Sequence, residues 1–173
     1  MLFRSSYIAG LLKYAPEYTL VTNQYVNSYK RLQPGGEAPT CISWGARNRS
    51  TLVRIPGYRP NSESACRVEL RSPDPAANPY LAFAVMLAAG LAGIEEGLEL
   101  MPPADEAAPI GCTRYEHRAR GIETLPESLG EAVERFAESR LMRETLGEHI
   151  HDYLGRTKPG EGEAYQGTVT AGR

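Results

Sequence analysis

A chain of 173 residues, 42% hydrophobic and 23% charged with a formal net charge of −2, has the composition of a soluble globular protein and the length for one real core. A mean hydropathy of −0.38, and a most apolar stretch at residues 80–94 that carries Gly90 and Gly93, exclude a membrane-spanning helix, which needs roughly 20 apolar residues. Residues 1–6 lack the basic region, apolar core and cleavage site of a secretory leader, and Cys41, Cys66 and Cys112 form no CxxC pair. The expected setting is a reducing cytoplasm, with neither disulfides nor a cysteine zinc site.

In chain order, residues 5–15 predict a short helix with Tyr7, Ile8, Leu11 and Leu12 inward, stopped by Pro16. Residues 27–39 contain Pro34, Gly35, Gly36 and Pro39 and predict a mobile loop. Residues 41–44 and 51–55 are strand candidates, and residues 57–65 a turn-rich loop. Residues 67–71 alternate strictly, so Arg67, Glu69 and Arg71 share one strand face and Val68 and Leu70 the other. Asn78 predicts an N-cap, Pro79 a first helical residue, and residues 79–96 a helix apolar on nearly every face and therefore central. Residues 101–124 read as a long connection. Ser128 and Glu131 predict a capping box that opens an amphipathic helical region carrying Leu129, Val133, Phe136, Leu141, Leu146, Ile150 and Tyr153. Pro159, Gly160 and Gly162 predict that the helix breaks, leaving 158–173 irregular.

Charge is uneven along this chain. Between Asn27 and Arg71 stand eight basic residues and three acids, a balance of +5 inside a protein whose remainder carries −7. Arginine dominates; lysine occurs only as Lys13, Lys30 and Lys158. Guanidinium forks grip carboxylates and phosphates bidentately, so the block predicts a small anionic ligand. Glu37 and Glu69 within it, and the acidic total, argue against nucleic acid.

A carboxylate between two arginines on one strand face has two readings. One is a surface ion-pair ladder of little energetic worth, which the pentapeptide alone favours. The other is a floor that holds a cation through Glu69 and anionic groups through the arginines. Arg47, Arg49 and Arg54 are close in sequence, but Arg49 and Arg54 differ in parity, so the chain must turn near residues 49–51 for both to serve one site. Glu37, bracketed by prolines and glycines, is either a solvated loop acid or a lid carboxylate able to accept a proton.

The runs Asn27-Ser28-Tyr29-Lys30-Arg31-Leu32, Pro34-Gly35-Gly36-Glu37-Ala38-Pro39, Ala46-Arg47-Asn48-Arg49-Ser50 and the stretch from Arg67 to Leu81 closely resemble the C-terminal catalytic part of bacterial type I glutamine synthetase. The resemblance covers residues 5–157, with its best match at 23–94. It implies an α+β fold, antiparallel strands packed with helices as part of an incomplete barrel, and subunits assembled into dodecamers. It also implies a reaction: ATP, glutamate and ammonia give glutamine, ADP and phosphate through γ-glutamyl phosphate. Arg31 and Arg71 resemble the residues that hold glutamate, and Glu37 the flap carboxylate that takes a proton from ammonium. Arg49 resembles the arginine on the transferring phosphoryl group, Arg54 and Arg67 the ATP-phosphate ligands, and Glu69 a ligand of magnesium or manganese. Gly36 stands where the family commonly has tyrosine, and Tyr115 is offset from the tyrosine that some members adenylylate. Further metal ligands and the base pocket lie upstream in the family, so the sequence predicts a C-terminal fragment, inactive alone and exposing apolar surface on Leu11, Leu12 and the 79–96 helix. Two alternatives are a γ-glutamyl ligase of the same superfamily acting on another amine, and an inactive homologue.

Overall fold

In the computed structural model the described residues are 2–34, 36, 38–46, 48, 50–57, 67–104 and 123–166. Six helices surround a three-stranded sheet among them: α1 (Leu2–Lys13), α2 (Ala15–Thr22), α3 (Val26–Arg31), β1 (Trp44–Gly45), β2 (Val53–Arg54), β3 (Glu69–Leu70), α4 (Pro79–Glu95), α5 (Leu129–Ala137) and α6 (Arg140–Gln166). The architecture is α+β as expected. The sheet is mixed rather than wholly antiparallel: β1 and β2 run parallel, β2 and β3 antiparallel, with Arg54 directly opposite Glu69.

The central helix is α2, which the sequence conceals. Tyr18, Thr19, Leu20, Val21, Thr22 and the following Asn23 are all fully buried. Pro16 does not end the helical region; it stands in the first turn of a new helix, where its missing N–H costs nothing. The buried hydroxyls are satisfied locally: Thr19 Oγ1 donates to the Ala15 carbonyl at 2.6 Å, and Tyr18 Oη to that of Leu11 at 2.8 Å. Burial pushes the Tyr18 phenol far up.

Helices α1 and α4 touch backbone to backbone. A Cβ on Gly10 would lie 2.2 Å from the Ala89 carbonyl oxygen, and one on Gly93 2.3 Å from that of Ser6. Small residues at the crossing let the helices approach this closely, and Leu11 and Leu12 are buried there rather than exposed. Helix α4 begins as the sequence predicts, with Asn78 Oδ1 accepting from the Tyr80 and Leu81 amides. It is not central. Tyr80, Phe83, Leu87 and Leu91, spaced three and four apart, leave an apolar stripe open, Phe83 at 68% exposure.

At α5, Ser128 Oγ caps the Glu131 amide at 3.2 Å, while the Glu131 carboxylate reaches back to the Glu127 amide at 2.9 Å. Leu129, Val133 and Phe136 pack inward as expected; Tyr153 faces out and Leu154 takes the core position. Helix α6 bends at Gly147, whose φ of +76° suits glycine, and then continues through Pro159 to Gln166. Residues 158–166 are therefore helical where a break is predicted. Tertiary contacts override the local signals: Lys158 Nζ, already paired with Glu161 one turn along the same helix at 2.7 Å, sits over the Tyr25 ring, and Lys30 Nζ sits over the Tyr165 ring. Those contacts dock the end of α6 on α3, a helix that itself occupies the start of the predicted 27–39 loop.

Candidate active site

The sheet edge gathers charges from three separate stretches. Pairing of β2 with β3 sets Arg54 against Glu69, and Arg54 Nη1 meets Glu69 Oε2 at 3.3 Å. Arg71, two residues beyond Glu69 on the same face, brings Nε to Glu69 Oε1 at 3.2 Å. One carboxylate is thus shared by two guanidinium groups. Arg31, last residue of α3, donates through Nη2 to Asn23 Oδ1 at 3.2 Å and to the carbonyl of Ser72, the residue after Arg71. A connected network therefore runs from Asn23 through Arg31 and the Ser72 backbone to Arg71, Glu69 and Arg54.

Cations outnumber anions in this network, three guanidinium groups to one carboxylate. Arg31 Nε, Arg54 Nε, Arg71 Nη1 and Ser72 Oγ are buried with no hydrogen-bond partner among the described residues. Unspent buried donors are costly in a purely structural cluster, and natural proteins keep them where a ligand supplies the missing acceptors. The surface-ladder reading of residues 67–71 fits less well, since Glu69 is paired across strands and Arg71 is only 20% exposed.

Of the other predicted site residues, Arg67 lies at the sheet edge with its side chain exposed. Glu37, Arg47 and Arg49 lie outside the described residues, as do Tyr115 and His117. Nearby, Asn48 Oδ1 accepts from the Ser50 amide at 2.8 Å, and Thr51 Oγ1 donates to the Asn48 carbonyl at 2.9 Å. Asn23 and Ser72 were not legible as site residues. Asn23 binds Arg31 through a side chain eight positions away, and Ser72 through its carbonyl, which every residue possesses.

Among the described residues no group of three or more His, Cys, Asp and Glu side chains could hold a metal ion. Glu69, 40% exposed, can offer one oxygen to a divalent cation whose remaining ligands are phosphate oxygens, water and groups outside this set. No described helix is long and apolar enough to cross a membrane.

Helices around a short mixed sheet, with guanidinium groups gathered about one carboxylate at its edge, define an α+β domain with an excess of positive charge at that edge. This chain belongs to the glutamine synthetase catalytic-domain family, a family of ligases: the family model described as "Glutamine synthetase, catalytic domain" matches residues 3–172. The chain is 56% identical over 165 residues to glutamine synthetase of Mycolicibacterium smegmatis, which covers 95% of the chain and 37% of that protein. It is 53% identical to the Mycobacterium tuberculosis glutamine synthetase, with the same coverage, and 48% identical to that of Thermus thermophilus, across 94% of the chain and 36% of the relative. The solved structure of a GmaS/ADP complex superposes with a TM-score of 0.81 at 33% identity, over 98% of this chain and 38% of that one. The chain spans a little over a third of the length of these relatives.

Proposed function

We propose that the chain forms the glutamate- and phosphate-binding side of a glutamate–ammonia ligase centre in the cytoplasm. The observation that carries this is the network in which Arg54 and Arg71 share Glu69 and Arg31 joins through the Ser72 carbonyl, with guanidinium donors left unspent among the described residues. In the reaction, an oxygen of the glutamate γ-carboxylate attacks the γ-phosphorus of ATP and ADP leaves. Ammonia nitrogen then attacks the acyl carbon, phosphate leaves, and a proton is lost. Such chemistry is mostly positioning and charge neutralisation.

In this reading Arg31 and Arg71 hold the carboxylate substrate, and Arg54 and Arg67 the ATP phosphates. Arg49 neutralises the transferring phosphoryl group. Glu37 shields the acyl phosphate from water and accepts the ammonium proton. Glu69 would hold one position of a magnesium or manganese ion, which when bound neutralises phosphate charge. Subunits of the whole enzyme form a closed homo-oligomer, a dodecamer on the family pattern. The relatives' names favour ammonia over another amine as acceptor.

A chimera tests the proposal: this chain replaces the matched segment of the Mycolicibacterium smegmatis protein, and glutamine formation is measured with ATP, glutamate, ammonium and magnesium. Turnover is expected. Glu37→Ala should lower glutamine formation more than glutamate-dependent ATP cleavage, because water then reaches the intermediate. A folded, assembled chimera with no turnover would contradict the reading. The chain by itself, offering one carboxylate to a metal among its described residues, is expected to make no glutamine. Sustained production abolished by Arg49→Ala would overturn that expectation.

A further inference from the structure

We infer that Asn23 is the positioning residue for Arg31, with Thr22 fixing its orientation, and that a neutral amide there leaves the guanidinium charge free for an anion. This rests on Arg31 being a carboxylate ligand.

Asn23 follows directly on α2, the most buried helix, and is itself fully buried. Its backbone amide donates to the Thr19 carbonyl at 2.8 Å, so its Cα is fixed to that helix. Its side chain sits in a relay whose direction is determined. Thr22 Oγ1 lies within reach of the Thr19 and Tyr18 carbonyls, at 3.3 and 3.4 Å, which can only accept its proton. The hydroxyl lone pair then faces Asn23, and Asn23 Nδ2 donates to it at 3.0 Å. Arg31 can only donate, so the amide oxygen is assigned to its side and Nδ2 to the Thr22 side.

A guanidinium carries five N–H donors. Both on Nη2 are directed at fixed acceptors, Asn23 Oδ1 and the Ser72 carbonyl. Those on Nε and Nη1 remain, and Nε is buried with no partner among the described residues. The long arginine side chain is thus held before a ligand arrives, which removes part of the ordering cost of binding. The choice of amide over carboxylate matters. An aspartate at this position would anchor Arg31 equally well but compensate its charge, as Glu69 does for Arg54 and Arg71.

The test uses the purified full chain with isotope-labelled arginine, observing the Arg31 guanidinium by NMR during titration with potassium glutamate. Asn23→Ala should speed exchange of the Arg31 Nη protons by roughly tenfold or more, the loss of one hydrogen bond to a charged group, while α5 amide signals stay in place. Asn23→Asp should keep the slow exchange yet abolish the glutamate-induced shift of Arg31. If Asn23→Ala does not fold, Thr22→Val, which removes the orienting hydroxyl, should still speed the exchange. Unchanged exchange in both Asn23→Ala and Thr22→Val overturns the inference, as does Asn23→Asp behaving like Asn23→Ala. Should glutamate move no arginine in the parent chain while Asn23→Ala still frees Arg31, the positioning stands and the functional reading fails.

Discussion

The α1–α4 crossing and the arginine edge are built on opposite principles. At the crossing, Gly10 and Gly93 bring two backbones together until neither has room for a methyl group. Everything there is spent on packing. At the edge, strands only two residues long carry Arg54 and Glu69, with Arg71 just beyond β3 and Arg31 at the end of α3, and several guanidinium donors are buried without partners among the described residues. Little there contributes to stability. Packing without slack holds the frame, and charge without full compensation waits on it for a ligand.

The sharpest way to break that contrast is to insert atoms at the crossing. Gly93→Ala should destabilise the chain by about 3 kcal/mol or more, because backbone on both sides must move. Denaturant unfolding measures this, and a loss under 1 kcal/mol would mean that the helices are not in contact here. A similar or smaller loss is expected for Phe136→Ala, about 3 kcal/mol, from the fully buried ring stacked on His151.

The arginine edge should tolerate change. Arg71→Met removes a half-compensated, largely buried charge and keeps the volume, so stability should change by less than about 1 kcal/mol in either direction. A large loss would make the network structural after all. The open stripe on α4 offers a further contrast. Phe83→Lys should leave the unfolding midpoint nearly unchanged and reduce self-association in sedimentation, since that ring is 68% exposed.

The smallest effect concerns Glu96, whose carboxyl is held below its ordinary value by the Lys13 ammonium at 2.5 Å, then by Tyr14. A depressed carboxyl contributes stability above its unfolded pKa, and the contribution is lost as pH falls through the folded one. Glu96→Gln should therefore cost under about 1 kcal/mol at neutral pH, and the deficit should begin to shrink below the ordinary carboxylate value of 4.5 and vanish once pH is below the lowered folded value. A deficit that persists in acid would assign the loss to packing instead.

Local chemistry was legible in the sequence, and long-range burial was not. Asn78 and Ser128 announce helix starts by the chemistry of an N-cap, and the alternation of residues 67–71 places Glu69 and Arg71 on one face. These features depend on neighbours along the chain. Pro16 misleads because proline is tolerated in a first turn as well as just after a last one. The break predicted at Pro159 fails because Lys158 finds Tyr25, the residue before α3, and Tyr165 finds Lys30 on it. The apolar character of residues 79–96 suggests a central helix, yet composition cannot say whether the opposite face has a partner, and among the described helices the more polar α2 is the more deeply buried. Within the site, charge type and motif order mark Arg31, Arg54, Glu69 and Arg71. Asn23 escapes because an amide eight residues from its guanidinium partner carries no pattern.

The most direct measurement is steady-state glutamine formation by the chimera carrying Arg71→Met, alongside its unfolding curve. If the edge is a ligand site mounted on a separately stabilised frame, glutamine formation falls at least about 100-fold, the two orders of magnitude expected when a charged partner of the substrate is removed, and the unfolding midpoint hardly moves. Turnover near that of the parent chimera, or a midpoint that collapses together with activity, would contradict it.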